Sequence, residues 1–490
     1  MRFKLEIFSG CFLIVMVALS SSAAGSTDAP LVEAARNRDK QAMVSLLKQP
    51  GAASARQPDG TTALHWAAHW NDPEAAELLI GAGVYVNAAN DYGVTALSLA
   101  CENGNAAMVE KLLRAEANPN AAQSSGETAL MTCARSGDAN SVKLLLDFGA
   151  DVNAKESRRG QTALMWAVAE KHPEVVRVLA AHGADVSGRS KDGFTPLMFA
   201  AREGDLDSAR VLLEAGANVN ESAPQYGTPL VEASGSGHED LAIFLLDKGA
   251  DPNAVDQYGT TALHYAMMRG ILGLNGTRRV NFTLYLFRPN MVNLINALLA
   301  RGASPNARSS DDGPLAGATP LLLAAASGDT NLMRVLTAKG ADPLVQTKRK
   351  LTLLMAAVGQ NSDALDEEKA SALDAVKVAL ELGADIDFAN DGGRTALHLA
   401  AQTGNSPVVQ FLVQKGASLQ AKDKFGQTPW NLAAGVMSPA CATSPVCSIQ
   451  GNKQNVWQDT ADLLVKLGAV PQISVGPQPA SAAPANKATK

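Results

Sequence analysis

Between Asp59 and Asn90 the chain reads DGTTALHWAAHWNDPEAAELLIGAGVYVNAAN, and its apolar positions fall into two short helical patterns. Leu64, Ala67 and Ala68 share one face of a first helix, with Thr62 placed to cap its start. Asn71-Asp72-Pro73 closes that helix and opens a second, Pro73 suiting a first turn that needs no N–H. Ala76, Leu79 and Ile80 form the second stripe, and Gly83 is positioned as a left-handed cap. Val84 to Asn90 then reads as an extended return into Asp91-Tyr92-Gly93. Such a turn, helix pair and return has no core of its own.

The pattern recurs. The capping threonine reappears as Thr95, Thr128, Thr162, Thr195, Thr228, Thr261, Thr319, Thr352, Thr395 and Thr428. From Thr62 the steps are 33, 33, 34, 33, 33, 33, 58, 33, 43 and 33 residues, so the long steps are a 33-residue period with insertions of 25 and 10. A step back from Thr62 reaches Ala29-Pro30-Leu31-Val32, which gives twelve repeats in all. Thr-Ala-Leu-His stands at 62–65, 261–264 and 395–398, and Thr-Pro-Leu at 195–197, 228–230 and 319–321. Gly-Ala-Asp stands at 149–151, 249–251, 340–342 and 383–385. On these motifs the chain resembles the ankyrin-repeat family over roughly residues 28 to 470. It departs where Glu116 and Pro50 replace the helix-ending glycine, and where Met or Val replaces the signature histidine. The resemblance implies an α-solenoid of stacked helix–turn–helix units with β-hairpin fingers.

Stacking is a physical necessity here. Ordering each residue costs roughly 1–2 kcal/mol of backbone entropy, and one repeat buries only a few aliphatic side chains worth about 1.5–3 kcal/mol each. Stability must therefore come from the interfaces between repeats. The insertions at 271–290, 361–370 and 437–456 fall between the two helices of their repeats, and 309–316 lengthens a finger. The first of them carries Arg278, Arg279, Phe282, Tyr285 and Phe287, residue types common at interfaces. These insertions either form a rim for a partner or pack back as plugs.

The N-terminus changes the picture of where the protein works. Arg2 and Lys4 precede an apolar run from Ile7 to Leu19, then small residues with Ser22 and Ala24 at the positions a signal peptidase reads. We expect residues 1–24 to be a signal peptide, with the mature chain starting near Gly25 and exported to the periplasm or beyond. The repeat domain then spans 25–470, and the Pro/Ala-rich residues 471–490 read as a disordered tail. No membrane span is expected after cleavage.

The formal charge is −6, and removal of Arg2, Lys4 and Glu6 makes it about −7, which offers nucleic acid no basic face. Cys101 and Cys133 fall in first helices, where a small buried apolar role is expected. Cys441 and Cys447 lie six apart in a Ser/Pro-rich loop, and in an oxidising compartment they read as a disulfide. Asn220, Asn275 and Asn281 head glycosylation sequons, that of Asn220 overlapping a repeat end.

The sequence contains no constellation for catalysis. His65 and His69 have zinc-peptidase spacing but lack the intervening glutamate, and His65 occupies the signature position, where the resemblance implies a structural hydrogen bond. Met131, Met165, Met198 and Met355 at that position read as core packing. No catalytic residue, metal site or cofactor is assigned.

What remains is surface. In ankyrin-like proteins the finger tips and first-helix faces line a concave groove that holds protein partners. On this chain that resemblance selects Trp70, Tyr92, Arg158, Arg159, Arg189, Lys191, Phe194, Tyr226, Tyr258 and Phe425, joined by His69, Arg135, Arg202, Lys348, Arg349 and Arg394. With so many cations the groove is expected to be locally basic and to favour an acidic protein. The expected function is a non-catalytic binding scaffold. The alternatives are a secreted effector or toxin-neutralising protein and, last, an enzyme.

Overall fold

The computed structural model describes residues 29–267, 289–310, 317–359, 366–436 and 456–471, with 366–368 described by backbone alone. The signal-like start, most of each insertion, the tail, and Cys441 with Cys447 lie outside the described residues. The chain divides into two compact units, Met1–Asp251 and Pro252–Lys490.

The first unit contains seven helix pairs. Its first helices are α1 Pro30–Arg36, α3 Ala63–His69, α5 Ala96–Glu102, α7 Ala129–Ser136, α9 Ala163–Ala169, α11 Pro196–Glu203 and α13 Pro229–Ser236. Its second helices are α2 Lys40–Leu46, α4 Pro73–Gly81, α6 Ala106–Arg114, α8 Ala139–Asp147, α10 Pro173–Ala181, α12 Leu206–Glu214 and α14 Glu239–Asp247. Each first helix packs on the first helix of the next pair, from α1 on α3 through to α11 on α13. The close faces are made of alanine, with Ala67, Ala100, Ala134, Ala167, Ala200 and Ala233 all buried. A methyl side chain lets helix backbones approach while Leu64, Leu97, Leu130, Leu164 and Leu197 fill the space toward the second helices.

The second unit repeats the scheme with α15 Ala262–Ala266, α16 Val292–Ala300, α17 Pro320–Ala326, α18 Thr330–Ala338, α19 Leu353–Val358, α20 Asp366–Glu381, α21 Ala396–Gln402, α22 Ser406–Gln414, α23 Pro429–Ala434 and α24 Gln458–Lys466. The insertion at 361–370 differs from a simple loop between helices. Residues 366–370 are helical and lengthen the start of α20 to 16 residues.

The expected caps are in place. Thr62 sits at the N-cap of α3, and Asp72 accepts the Ala75 N–H at 3.0 Å to open α4, with Pro73 at the first helical position. Such caps contribute about 1 kcal/mol each. Gly83 follows α4 with φ of 79°. Where the signature histidine is present it closes a capping box. His65 Nδ1 accepts the Thr62 N–H at 3.1 Å, while its Nε2 meets the Val94 carbonyl at 2.9 Å and ties one repeat to the next.

Two features differ from the sequence expectation. The return segments do not form strands among the described residues; each of five of them carries one isolated bridge, such as Ala89 with Thr95. Asparagines bridge consecutive repeats at these segments. Asn120 Nδ2 donates to the Gly149 carbonyl at 2.9 Å and its Oδ1 accepts the Asp151 N–H at 2.7 Å. Asn87 and Asn153 do the same, and so does Asn220, whose amide is engaged at both ends rather than free for a glycan. The second difference concerns Cys101 and Cys133. Both are fully buried, but they form a disulfide between α5 and α7, with Cα atoms 4.5 Å apart, instead of standing as separate small core residues.

Candidate protein-interaction surface

Finger shape is set by a side-chain acceptor at the base of each turn. Asn90 Oδ1 accepts the Tyr92 and Val94 N–H groups at 3.1 and 3.0 Å. In a longer finger the buried Glu156 carboxylate accepts from Arg158, Arg159 and Gln161 at 2.6–2.9 Å. Asp256 and Asp423 hold the fingers of Tyr258 and Phe425 in the same way. Tips are also tied to one another. In the first unit Asp91 N–H donates to Asp59 O at 2.8 Å, Ser124 to Tyr92 at 3.0 Å, Ser157 to Ser125 at 2.8 Å and Lys191 to Arg159 at 2.8 Å. A row of fingers cross-linked through the backbone presents its side chains with little entropy left to lose on binding.

Trp70, Tyr92 and Tyr258 are presented as expected, being 40%, 50% and 40% exposed. Trp70 stacks on Trp66 at 6.2 Å between ring centroids, meets His69 edge-on at 4.7 Å, and donates its indole N–H to Arg36 O at 3.0 Å. Its exposed ring is therefore held rigid. Arg158 is exposed and Arg159 half-buried. Phe425 is half-buried with the Lys424 ammonium 5.1 Å above its ring.

Phe194 corrects the expectation. It is 4% exposed and lies against Phe199 at 5.5 Å and the half-buried Tyr226 at 4.5 Å. A finger residue two positions short of a proline-opened helix is close enough to that helix to fold inward, which spacing alone does not reveal. Truncating Phe194 to Ala is accordingly expected to destabilise the first unit by about 3 kcal/mol. Thermal unfolding of the variant checks this, and an unchanged midpoint would return Phe194 to the surface.

The expected basic groove is weakened, because Arg135, Arg189, Arg202 and Arg394 have carboxylate partners within the chain. Arg189 meets Glu221 at 2.7 Å and donates to the Gly193 and Ser222 carbonyls, so it braces its finger. Arg135 stands 3.7 Å from Glu127, Arg202 3.3 Å from Glu203, and Arg394 3.3 Å from Asp423. The Lys191 ammonium donates to Ser157 O. Arginine planes also cover aromatic rings of the first helices, Arg36 over Trp66 at 5.6 Å and Arg135 over Trp166 at 5.2 Å. The carboxylates respond to their setting. Burial pushes Glu127 above the usual range despite Arg135, and burial raises Glu232 to about 7.

Among the described residues no group of three or more His, Cys, Asp or Glu could hold a metal ion. The signature histidines use both ring nitrogens structurally, and burial holds His65, His264 and His398 below their ordinary values, His264 at about 4. No helix among the described residues is long and apolar enough to cross a membrane.

The chain matches family models described as ankyrin repeats in three copies, at 11–90, 31–123, 83–156, 130–223 and 368–442, as ankyrin repeats in many copies at 230–271, and as a single ankyrin repeat at 316–348. Similar proteins include inversin of Gallus gallus, 36% identical over 104 residues, which are 19% of this chain and 9% of inversin. The ankyrin repeat and KH domain-containing protein mask-1 of Caenorhabditis elegans is 32% identical over 200 residues, 37% of this chain and 7% of that protein. A mouse ankyrin repeat and SAM domain-containing protein 6 is 34% identical over 118 residues, 24% and 11% of the two chains. The matched region thus spans about a tenth or less of each of these relatives. The period of eleven capping threonines, the histidine capping boxes and these matches agree that the chain belongs to the ankyrin-repeat family.

Proposed function

We propose that this protein is a non-catalytic scaffold that binds a protein partner through its fingers and first-helix faces. The observation that carries the reading is the backbone-linked row of fingers, which presents Tyr92, together with the first-helix cluster that displays Trp70. Exposed, immobilised tryptophan and tyrosine are the side chains that dominate binding energy at protein interfaces. Export to the periplasm or extracellular space is part of the same proposal. It rests on the basic, apolar and small-residue start of the sequence, and the buried Cys101–Cys133 disulfide favours an oxidising compartment.

Affinity capture from the native envelope fraction tests it, comparing the natural protein with a Trp70→Ala, Tyr92→Ala double variant. The variant is expected to lose at least tenfold in capture, about 1.4 kcal/mol. Its thermal midpoint should move little, since neither exposed ring fills the core. Undiminished capture by the folded double variant, with loss on deleting 271–290, would move the site to the rim.

A further inference from the structure

The first-helix position that carries Trp66, Leu99, Thr132, Trp166 and Phe199 in successive repeats carries Glu232 in the last repeat of the first unit. Every later repeat has a tyrosine or an aliphatic residue there. Glu33 holds this place in the first repeat, but it is exposed and accepts from Asn37 at 3.1 Å with Arg36 at 3.7 Å. Glu232 is half-buried, and among the described residues none donates a hydrogen bond to its carboxylate. The solenoid itself gains nothing from a half-sunk, unbonded carboxylate on a face where its neighbours are apolar. Such an uncompensated cost marks a site kept for something other than stability.

Its surroundings say what would compensate it. Phe194, Phe199 and Tyr226 form an edge-to-face group of rings, with centroids 4.5 and 5.5 Å from that of Phe194. The Arg202 guanidinium already lies over two of them, at 5.1 Å from Phe194 and 4.8 Å from Phe199, so this ring group demonstrably accepts a cation. Arg202 turns its Nε to Glu203 rather than to Glu232. The charged groups around Tyr226 and Glu232 are Asp192, Glu203, Glu232 and Arg202, three carboxylates against one guanidinium, a net −2 when all are ionised. One more cation, brought from outside, is what the local charge lacks.

Building on the reading of this face as an interaction surface, we propose that Glu232, flanked by Tyr226, receives a lysine or arginine side chain carried by an extended segment of the protein partner. The charge-assisted pair forms at a half-buried position, and the ring beside it contacts the partner's aliphatic stem.

The test uses the full mature protein and two fluorescent synthetic peptides of alternating serine with lysine or with glutamate. The lysine peptide should bind the natural protein at least tenfold more tightly than it binds Glu232→Gln, and the glutamate peptide should bind neither. Glu174→Gln removes the same unit of charge from an exposed helix face and should leave lysine-peptide affinity within about twofold. Glu232→Gln should also unfold at a higher temperature than the natural protein at pH 8, whereas a structural carboxylate would lower it when removed. Equal affinity of the natural protein and Glu232→Gln for the lysine peptide, or no binding at all, overturns the proposal, as does a lowered midpoint. In the envelope capture, retention by Glu232→Gln with loss in the Trp70, Tyr92 double variant rejects the Glu232 site and leaves the scaffold reading standing. Retention by both rejects the scaffold reading of this face.

Discussion

Non-reducing peptide mapping should return Cys101 and Cys133 as one cross-linked pair, and converting both to alanine should cost about 3–4 kcal/mol. The two residues are 32 apart, so the cross-link closes a loop spanning almost one full repeat in the unfolded chain. Loop-closure entropy for that length gives the magnitude. The replacement itself removes only a small buried atom on each side, so cavity formation adds little. In a repeat array the effect should be local as well as large. The bond joins α5 to α7, and these repeats cannot separate while it is intact. Hydrogen exchange of the α5–α7 segment in the alanine variant should therefore rise more than exchange in α13. Two free thiols in protein from its native compartment, or an unchanged unfolding midpoint, would contradict the expectation.

Acidification should weaken the second unit through its histidines. His264 Nδ1 accepts the Thr261 N–H at 3.2 Å, and its Nε2 meets the Ala318 carbonyl at 3.2 Å. The folded state thus holds a neutral ring, and burial lowers its value to about 4 from the ordinary 6.5. His398, lowered mainly by burial, has the same arrangement with Thr395 and Gln427. Between pH 6.5 and 4 the unfolded chain binds the proton and the folded chain does not, so stability falls as pH falls. The contribution is fully present above pH 6.5. From His264 the loss across that window should be about 3 kcal/mol. Urea midpoints of the natural protein and His264→Met, measured from pH 7.5 to 4, isolate it. Methionine already fills this position in Met131, Met165, Met198 and Met355, so the variant should fold and show a flatter pH profile. Parallel profiles would remove His264 as the cause. Glu232 acts with the opposite sign, since its raised value means stability declines as pH climbs through about 7.

The corrections share a cause. Phe194 has the composition of a finger anchor, yet its ring is taken up by Phe199 and Tyr226, one of them 32 residues away. Arg189 and Arg394 look like free cations in a string of letters, but Glu221 and Asp423 stand 32 and 29 residues on, across one repeat junction. The cysteine pair escaped notice because 32 is one short of the period, so the two positions are not equivalent in their repeats. Comparing each residue with those one period away, plus or minus a few positions, would have exposed all three.

The sequence by itself determined the repeat count, the helix pairs and their threonine caps. These follow from interactions over three or four residues, whose periodicity is printed directly in the chain. Only the tertiary structure decided which charges are neutralised, which aromatic rings are buried, which cysteines are joined, and that Glu232 stands without a hydrogen-bond partner among the described residues. Those outcomes depend on contacts about one repeat apart. Stacking brings such residues within a few ångströms, and the register of the stack, not the local pattern, chooses the pairs.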